Sequence, residues 1–215
     1  MKLLIVICLG LYSVTAPAET NVEEKIGVAG ETRLALDLPF ADEIRFETWD
    51  RNEVLVQATV SISDGEEDEI FELTSRKSSD TIYVEMNKDR WQDFSWNGMC
   101  HCQETRIQFR VYFPGSMKID AKTISGGYTL DYYGQPLRLK TISGDIDLNV
   151  TADHGVDFKA TTISGEVYSD LDVDYPEGRD GLNQMVGIKV RGRIFGGGPA
   201  VAMETISGDI YLRKK

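Results

Sequence analysis

The stretch "TISGDIDL" at residues 141–148 decides the fold, because its first four residues occur four times in the chain. Thr-Ile-Ser-Gly also stands at 123–126, 162–165 and 205–208. The threonines are 18, 21 and 43 residues apart, and the last spacing is close to twice 21. A repeat of about 20 residues is typical of stacked β coils. We therefore predict that each copy forms a corner of one coil, with each coil lying ~4.8 Å above the last.

Apolar and polar residues alternate on both sides of each copy, which is the period of a β-strand with one buried face. The predicted core positions ahead of the copies are Ile119, Ala121, Leu137, Leu139, Phe158, Ala160, Val201 and Met203. Those after the copies are Tyr128, Leu130, Ile146, Leu148, Val167, Ile210 and Leu212. The alternation places Thr and Ser of each copy on the inward face, and it changes parity at the Gly, as at a bulge or a corner.

The predicted structural repeat comprises Thr123, Ile124, Ser125 and Gly126; Thr141, Ile142, Ser143 and Gly144; Thr162, Ile163, Ser164 and Gly165; and Thr205, Ile206, Ser207 and Gly208. We expect the hydroxyl groups to bond to one another along the stack, and each Gly to bend the chain at positive φ. On that basis Gly144→Val should destabilise more than Gly196→Val. The isoleucines are expected to form a column buried under a neighbouring sheet or loop, so that Ile142→Asp should be strongly destabilising. The alternative is an exposed apolar ridge that grips a partner.

The rest of the chain also reads as strands, so the predicted class is all-β. Residues 53–62, 81–86 and 105–113 alternate with period two, and Ile107, Phe109, Val111 and Phe113 share one face of the last strand. We predict hairpin-like strands in an N-terminal region, 19–117, that lead into a β-solenoid of about four coils at 118–215, with one continuous core. An insertion at 170–200, with a strand at 186–194, is expected to form a flap over one face. The closing "YLRKK" should lie at the open end of the stack.

The first 18 residues have the pattern of a secretory signal peptide. One Lys, an apolar run that begins at Leu3, and Ala16-Pro17-Ala18 predict cleavage after Ala18. The apolar run is too short for a membrane span, and no later stretch is long enough for one. The formal net charge is −12, and loss of the single Lys in the peptide takes it to about −13. Such acidity argues against nucleic acid as a partner, because binding to phosphates needs clustered Lys and Arg.

Residues 118–215 resemble the bacterial putative-adhesin family, a domain of unknown function found in envelope proteins. The resemblance is carried by "TISGDI" at 141–146 and 205–210, "TISGEV" at 162–167, and the Gly-rich segment before the last copy. The segment 44–62 is similar to an early strand pair of that family. The resemblance implies a β-helical fold and an adhesive role, and it brings no catalytic residues with it. The first copy departs from the pattern, since Gly127 and Tyr128 follow it in place of an acid and Ile.

The segment 90–104, "RWQDFSWNGMCHCQE", differs most from the repeat. Cys100 and Cys102 are predicted to form a disulfide or to pair between chains, since exported proteins meet an oxidising environment. A soft-metal site that adds His101 is the weaker alternative, because alternate residues of a strand point to opposite faces. Its aromatic residues could form a binding loop or fold back over the core. Those residues are Trp91, Phe94 and Trp96.

Three acids follow the corners in equivalent positions: Asp145, Glu166 and Asp209. Stacked carboxylates are candidates for Ca²⁺, which prefers several oxygen ligands. Two carboxylates about 5.5 Å apart would also suit retaining glycoside hydrolysis. The third alternative is a set of solvated turns, where Asp is favoured for local hydrogen bonding. No cofactor other than this calcium candidate is predicted.

Three functions are consistent with these features. The first is a non-enzymatic cell-envelope or surface protein, an adhesin or binding module whose partner is a glycan, a protein or an envelope component. The second is a polysaccharide-active enzyme that uses the stacked carboxylates. The third is a structural or envelope-stress accessory protein. Each would be exported to the periplasm, the cell surface or the medium, and none would span a membrane. The resemblance to the putative-adhesin family favours the first function. The repeated motif is specific for the architecture and not for an activity, because fold alone supplies no chemistry.

Overall fold

A computed structural model describes residues 19–90, 104–175 and 187–215 of the 215-residue chain. In these ranges the strands are β1 Thr20–Gly27, β2 Arg33–Asp37, β3 Phe40–Trp49, β4 Glu53–Ile62, β5 Leu73–Ser78, β6 Thr81–Met86, β7 Thr105–Pro114, β8 Lys118–Lys122, β9 Ser125–Asp131, β10 Leu137–Lys140, β11 Ile146–Val150, β12 Val156–Thr162, β13 Val167–Ser169, β14 Val173–Asp174, β15 Ile188–Ile194, β16 Ala200–Glu204 and β17 Ile210–Lys214. Two 3-10 turns, Ser63–Gly65 and Asp68–Ile70, connect β4 to β5. The all-β prediction is therefore confirmed.

The strands form two mixed sheets. The eight-stranded sheet has the order β1-β4-β7-β3-β9-β11-β17-β13, and the nine-stranded sheet has the order β14-β15-β12-β16-β10-β8-β2-β6-β5. Each TISG copy lies where the chain leaves the nine-stranded sheet and enters the eight-stranded one. Strands on either side of the copies pair in parallel with their counterparts, for example Leu137 with Ile119 and Ile146 with Tyr128.

The corners do not stack in chain order. Parallel bridges join Ser125 to Ser143, Ser143 to Ser207, and Ser207 to Ser164. The fourth copy therefore lies between the second and the third, and the order along the stack is 123, 141, 205 and 162. The expectation that the closing "YLRKK" caps an open end is wrong, because β17 pairs with β11 on one side and β13 on the other.

The segment 170–200 explains this order. Its predicted strand is present as β15, but it extends the nine-stranded sheet and does not form a flap. β15 pairs antiparallel with β12, and the short β14 pairs with β15 at the sheet edge. The chain thus runs outward past the third copy and then returns. β16 then pairs in parallel with both β12 and β10, and the fourth copy, which follows β16, therefore lies between the second and third copies.

The region before residue 118 is only partly hairpin-like. β5 and β6 form an antiparallel hairpin, whereas β3 and β4 are separated by β7, which pairs with both. β2 and β3 make a further crossing of the same kind as the TISG corners, with Pro39 next to Ile124 and Ser125. The stack of parallel crossings therefore begins near residue 33, well before the first copy.

The core lies between the two sheets and contains the residues that alternation predicted. Of the positions flanking the copies, all are buried except Val167, which is half-buried. Ile107, Phe109, Val111 and Phe113 of β7 are also buried. One contiguous apolar cluster includes residues from β1 through β17. No helix in the described ranges is long and apolar enough to cross a bilayer.

Candidate functional site

The threonine of each corner is a buried structural residue. Thr141, Thr205 and Thr162 donate their hydroxyl hydrogens to the glycine carbonyl of the preceding corner in the stack, at 3.0, 3.1 and 3.0 Å. The predicted ladder of hydroxyl to hydroxyl bonds is therefore wrong, because the glycine carbonyls accept instead. Buried hydroxyls need such a partner, and each bond ties one corner to the next.

The corner glycines allow two backbones to approach closely. A Cβ on Gly144 would lie 2.0 Å from the carbonyl oxygen of Gly126, and one on Gly165 would lie 2.0 Å from that of Gly208. Of the four, only Gly126 has a positive φ, 95°. The predicted reason for the glycine was therefore wrong at three corners, where contact between neighbouring backbones excludes a side chain.

The isoleucines of the corners point outward, which contradicts the predicted burial. We call Ile124, Ile142, Ile206 and Ile163, in stack order, the isoleucine column. Their exposed fractions are 47%, 40%, 39% and 49%. The serines of the four copies are exposed as well, so Thr and Ser do not share a face as predicted. Each corner therefore uses Thr and Gly to hold the stack, and it presents Ile and Ser to solvent.

The three corner acids accept hydrogen bonds within the stack. Asp145 Oδ1 accepts from the backbone N–H of Asp209, and Asp209 Oδ1 accepts from that of Glu166, both at 2.8 Å. No group of three or more His, Cys, Asp or Glu side chains that could hold a metal ion occurs among the residues described, and the calcium site at these acids stays a prediction. Asp145 and Asp209 thus satisfy backbone amides at successive corners, whereas the Glu166 carboxylate accepts from the Tyr168 hydroxyl.

A pair of tyrosines extends this acid column onto the eight-stranded sheet. The rings of Tyr168 and Tyr211 stack with centroids 5.2 Å apart and planes 10° apart. The Tyr211 hydroxyl donates to Asp209 Oδ2 at 3.0 Å. A hydrogen bond to the Glu166 carboxylate raises the pKa of Tyr168 to about 12, because the neutral phenol is the donor. Both phenols are thus neutral at physiological pH.

The tyrosine pair belongs to a row that crosses the whole eight-stranded sheet. In the strand order of that sheet the row consists of Glu23, Gln57, Arg110, Arg45, Thr129, Asp147, Tyr211 and Tyr168. We call these eight residues the outer row. They are opposite one another in register, one from each strand, and all are exposed or half-buried. Seven strand spacings give the row a length of about 34 Å.

Contacts between neighbours order the outer row and its surroundings. Gln57 donates to Glu23 at 2.6 Å, and Arg213 bridges to Asp147 at 2.8 Å while its guanidinium lies 4.6 Å from the Tyr211 ring centroid. At the other end of the row, a groove of about 410 Å³ is lined by Asn21, Val22, Glu23, Gln57, Thr59, Gln108 and Arg110. Its lining contains one carboxylate and none of the corner acids, so the acid pair proposed for glycoside hydrolysis does not lie in this groove.

Some predicted sites lie outside the described residues. These are the signal peptide 1–18, the cysteine pair Cys100 and Cys102, and the aromatic residues Trp91, Phe94 and Trp96. The cysteine and aromatic assignments stay predictions. The outer row was missed from sequence because its members come from eight strands with long and irregular chain separations. The alternation in these strands does mark such positions as polar and outward-facing. The order of the residues across the sheet, however, depends on which strands pair with one another, and the alternation does not give that.

Comparison with known proteins identifies the fold. No family model and no curated protein matches the chain. Among solved structures, a putative cell adhesion protein from Clostridium sporogenes is similar over 92% of this chain and 100% of its own, with a TM-score of 0.56 and 13% identity. A putative adhesin from Parabacteroides merdae aligns over 69% of this chain and 60% of its own, with a TM-score of 0.31 and 11% identity. The chain has the fold of the Clostridium protein.

Proposed function

We propose that this protein is an exported, non-enzymatic binding module of the cell envelope or surface, of the putative-adhesin type. Its scaffold is a β-solenoid of TISG-cornered coils, and its ligand is an extended glycan held along the outer row. The observation that carries the proposal is the continuous register of that row across eight strands. The shared fold with a protein named for cell adhesion supports the same class of function.

The chemistry of the outer row suits a sugar chain. Hydroxyl groups of sugars hydrogen-bond to amide, guanidinium and carboxylate side chains, which Gln57, Arg110 and Asp147 supply. The apolar face of a sugar ring packs on an aromatic ring, and Tyr168 is 45% exposed on β13, which among the described strands pairs with β17 alone. The row offers both kinds of contact, and its length matches several sugar units more closely than one.

The scaffold favours recognition over catalysis. Asp145 and Asp209 hold backbone amides, and Asp209 and Glu166 accept tyrosine hydroxyls. A general acid and a nucleophile in a glycosidase need carboxylates directed at the bond that breaks. In the outer row, the hydrogen bond from Gln57 to Glu23 and the stacking of Tyr168 on Tyr211 hold these four side chains in place before a ligand arrives. Such preorganisation lowers the entropy cost of binding.

The test begins with residues 19–215 on a printed array of bacterial and host glycans, and it continues by calorimetry with the glycan class that binds. Tyr168→Ala should weaken binding by about tenfold through loss of ring stacking. Tyr168→Phe keeps the ring and should stay within about twofold of the wild type. Affinity should also increase with oligosaccharide length until the row is filled.

Arg110→Ala and Arg138→Ala form a matched pair for the same titration. Both remove one exposed arginine from a strand, but Arg110 lies in the outer row and Arg138 lies on the nine-stranded sheet. Only Arg110→Ala should weaken glycan binding, by about five- to tenfold. Equal losses for the two variants would point to a general charge effect, and no binding to any glycan on the array would overturn the proposal.

A further inference from the structure

Basic side chains cover the outward face of the nine-stranded sheet on four of its strands, β8, β10, β12 and β15. Each alternates with more deeply buried neighbours along its strand, and each is exposed except Lys159, which is half-buried. We call this set the basic face, and its members are Lys118, Lys122, Arg138, Lys140, Lys159, Lys189, Arg191 and Arg193. Such a concentration of cations is unexpected in a chain whose formal net charge is −12.

Acidic side chains in the same part of the sheet offset half of this charge. They are Asp120, Asp157, Glu204 and, on the edge strand β14, Asp174. Asp120 is the register partner of Arg138, and Asp174 is that of Arg193. Ion pairs join Arg193 Nε to Asp157 Oδ1 at 3.7 Å and Lys159 Nζ to Glu204 Oε1 at 3.8 Å. Eight cations against four acids leave this part of the sheet with a local net charge of +4.

Five members of the basic face form no ion pair with any residue that the structure describes. They are Lys118, Lys122, Arg138, Lys140 and Lys189. Lys122 and Lys140 are also register partners on the adjacent strands β8 and β10, and like charges side by side repel each other. An anionic partner can therefore pair with these five side chains without first breaking an ion pair, and it relieves the repulsion between Lys122 and Lys140.

The layout of the basic face selects the kind of anion. The face spans five adjacent strands, about 19 Å across, and its members also repeat every second residue along each strand, about 7 Å apart. A linear polyanion would meet one line of these charges, whereas a planar anionic surface meets all of them at once. β16 in the middle of the face presents Ala200, Ala202 and Glu204, so the longer Lys and Arg side chains on either side extend beyond the alanines. We propose that the basic face docks on a phospholipid bilayer with anionic headgroups.

The basic face and the outer row lie on opposite sides of the two packed sheets. Docking through the basic face therefore directs the outer row away from the bilayer, and the docking neither requires nor excludes a glycan there. At about 0.1 M salt the Debye length is about 10 Å, which is also the distance between two packed sheets. The bilayer then responds mainly to the face that it touches and much less to the net charge of the whole chain.

Cosedimentation with lipid vesicles tests the docking. At about 0.1 M salt, residues 19–215 should bind vesicles of phosphatidylglycerol and phosphatidylcholine in equal parts, and should bind pure phosphatidylcholine vesicles at least about tenfold more weakly. At about 1 M salt the Debye length falls to about 3 Å, and the chain should be released. Each Lys or Arg near an anionic leaflet strengthens binding by about fivefold, so Arg138→Gln combined with Lys140→Gln should weaken it by about 25-fold.

Lys25→Gln combined with Arg106→Gln is the matched control. These two cations lie on the outward face of the eight-stranded sheet, on β1 and β7, and their loss changes the net charge by the same amount. All four positions are exposed, so both double variants should keep the far-UV circular dichroism spectrum and the melting temperature of the wild type. The control should bind the anionic vesicles as the wild type does. Equal weakening of the two double variants would mean that net charge decides binding, which would overturn the proposal.

A fluorescent label on a single cysteine tests which side of the molecule meets the bilayer. In a background with Cys100→Ser and Cys102→Ser, a label on Ala200→Cys of β16 should be quenched by lipids that carry a spin label on the headgroup. A label on Asn149→Cys of β11, in the eight-stranded sheet, should be quenched far less. Stronger quenching at position 149 than at position 200 would contradict docking through the basic face.

Two further outcomes would overturn the proposal. One is a wild-type chain that does not bind the anionic vesicles at about 0.1 M salt. The other is a chain that binds polygalacturonate but not the vesicles, with this binding lost in the variant with Arg138→Gln and Lys140→Gln, because the partner of the basic face would then be a linear polyanion.

Discussion

Gly144→Ala is expected to lower the free energy of unfolding by about 3 kcal/mol or more. The new Cβ would lie 2.0 Å from the carbonyl oxygen of Gly126 and 2.4 Å from its carbonyl carbon. These are backbone atoms, so no flexible side chain can move aside. Separating the two corners to make room would strain the bond from Thr141 Oγ1 to Gly126 O. Urea unfolding followed by circular dichroism measures the change.

Gly196→Ala is the matched control for this prediction. Gly196 has a φ of 84°, but a Cβ there would meet no atom within 4 Å. The substitution should cost only about 1 kcal/mol, from the strain of an L-residue in the left-handed region. If Gly144→Ala costs no more than Gly196→Ala, the close approach of the corner backbones is not what requires glycine at position 144.

Ile146→Asp is expected to prevent stable folding, whereas Ile142→Asp is expected to be tolerated. Ile146 is 0% exposed in the core, whereas Ile142, four residues earlier, is 40% exposed. The first change loses about 2 kcal/mol of apolar burial and adds a carboxylate without a partner, so its total cost should exceed about 4 kcal/mol. The second change should cost about 1 kcal/mol or less, as at other surface positions.

Thermal unfolding of the two variants gives a direct comparison, because both introduce the same side chain four residues apart. The Ile142→Asp chain should melt within a few degrees of the wild type and keep a cooperative transition. The Ile146→Asp chain should show no cooperative transition at all. A severe loss of stability in Ile142→Asp would mean that the isoleucine column is covered and does not face solvent.

The sequence predicts the inward face of the strands well, and the reason is local. Alternation marks Leu137, Leu139, Ile146 and Leu148 as core positions, and each is buried. The TISG repeat likewise locates the corners, since a repeated motif must occupy repeated surroundings. These features depend on residues close together in the chain, where a period of two is easily recognised.

The corner itself could not be resolved by alternation. The alternation of buried and exposed positions breaks between Thr141 and Ile146. The directions of the Ile and Ser side chains between them therefore depend on backbone angles, which the alternation does not predict. Apolar character suggested that Ile142 is buried, but the corner is convex and turns this side chain toward solvent. The same difficulty affected the glycine, whose role follows from the neighbouring corner and not from its own φ.

The order of the corners depends on long-range pairing. A chain-order stack would place the copy at 205 beyond the copy at 162, and nothing in either motif distinguishes the two arrangements. The outcome is decided by the excursion through β15, which occupies the free edge of β12 while β16 pairs with its other edge. The outer row, which needs all eight lateral pairings, could not be assembled without that information.

The central claim is that the corners stack in the order 123, 141, 205 and 162, because the isoleucine column and the outer row both depend on it. The most direct test is an engineered disulfide in a background with Cys100→Ser and Cys102→Ser. Ser143 and Ser207 are bridge partners at adjacent corners, a separation that a disulfide can span. Ser143 and Ser164 are two spacings apart, about 10 Å, which is too far.

We predict that the monomer with Ser143→Cys and Ser207→Cys oxidises to an intramolecular disulfide, detected by mass spectrometry after thiol labelling. The chain with Ser143→Cys and Ser164→Cys should keep both thiols. The reverse result, closure of the 143–164 pair with the 143–207 pair left reduced, would show that the corners stack in chain order and would contradict the account.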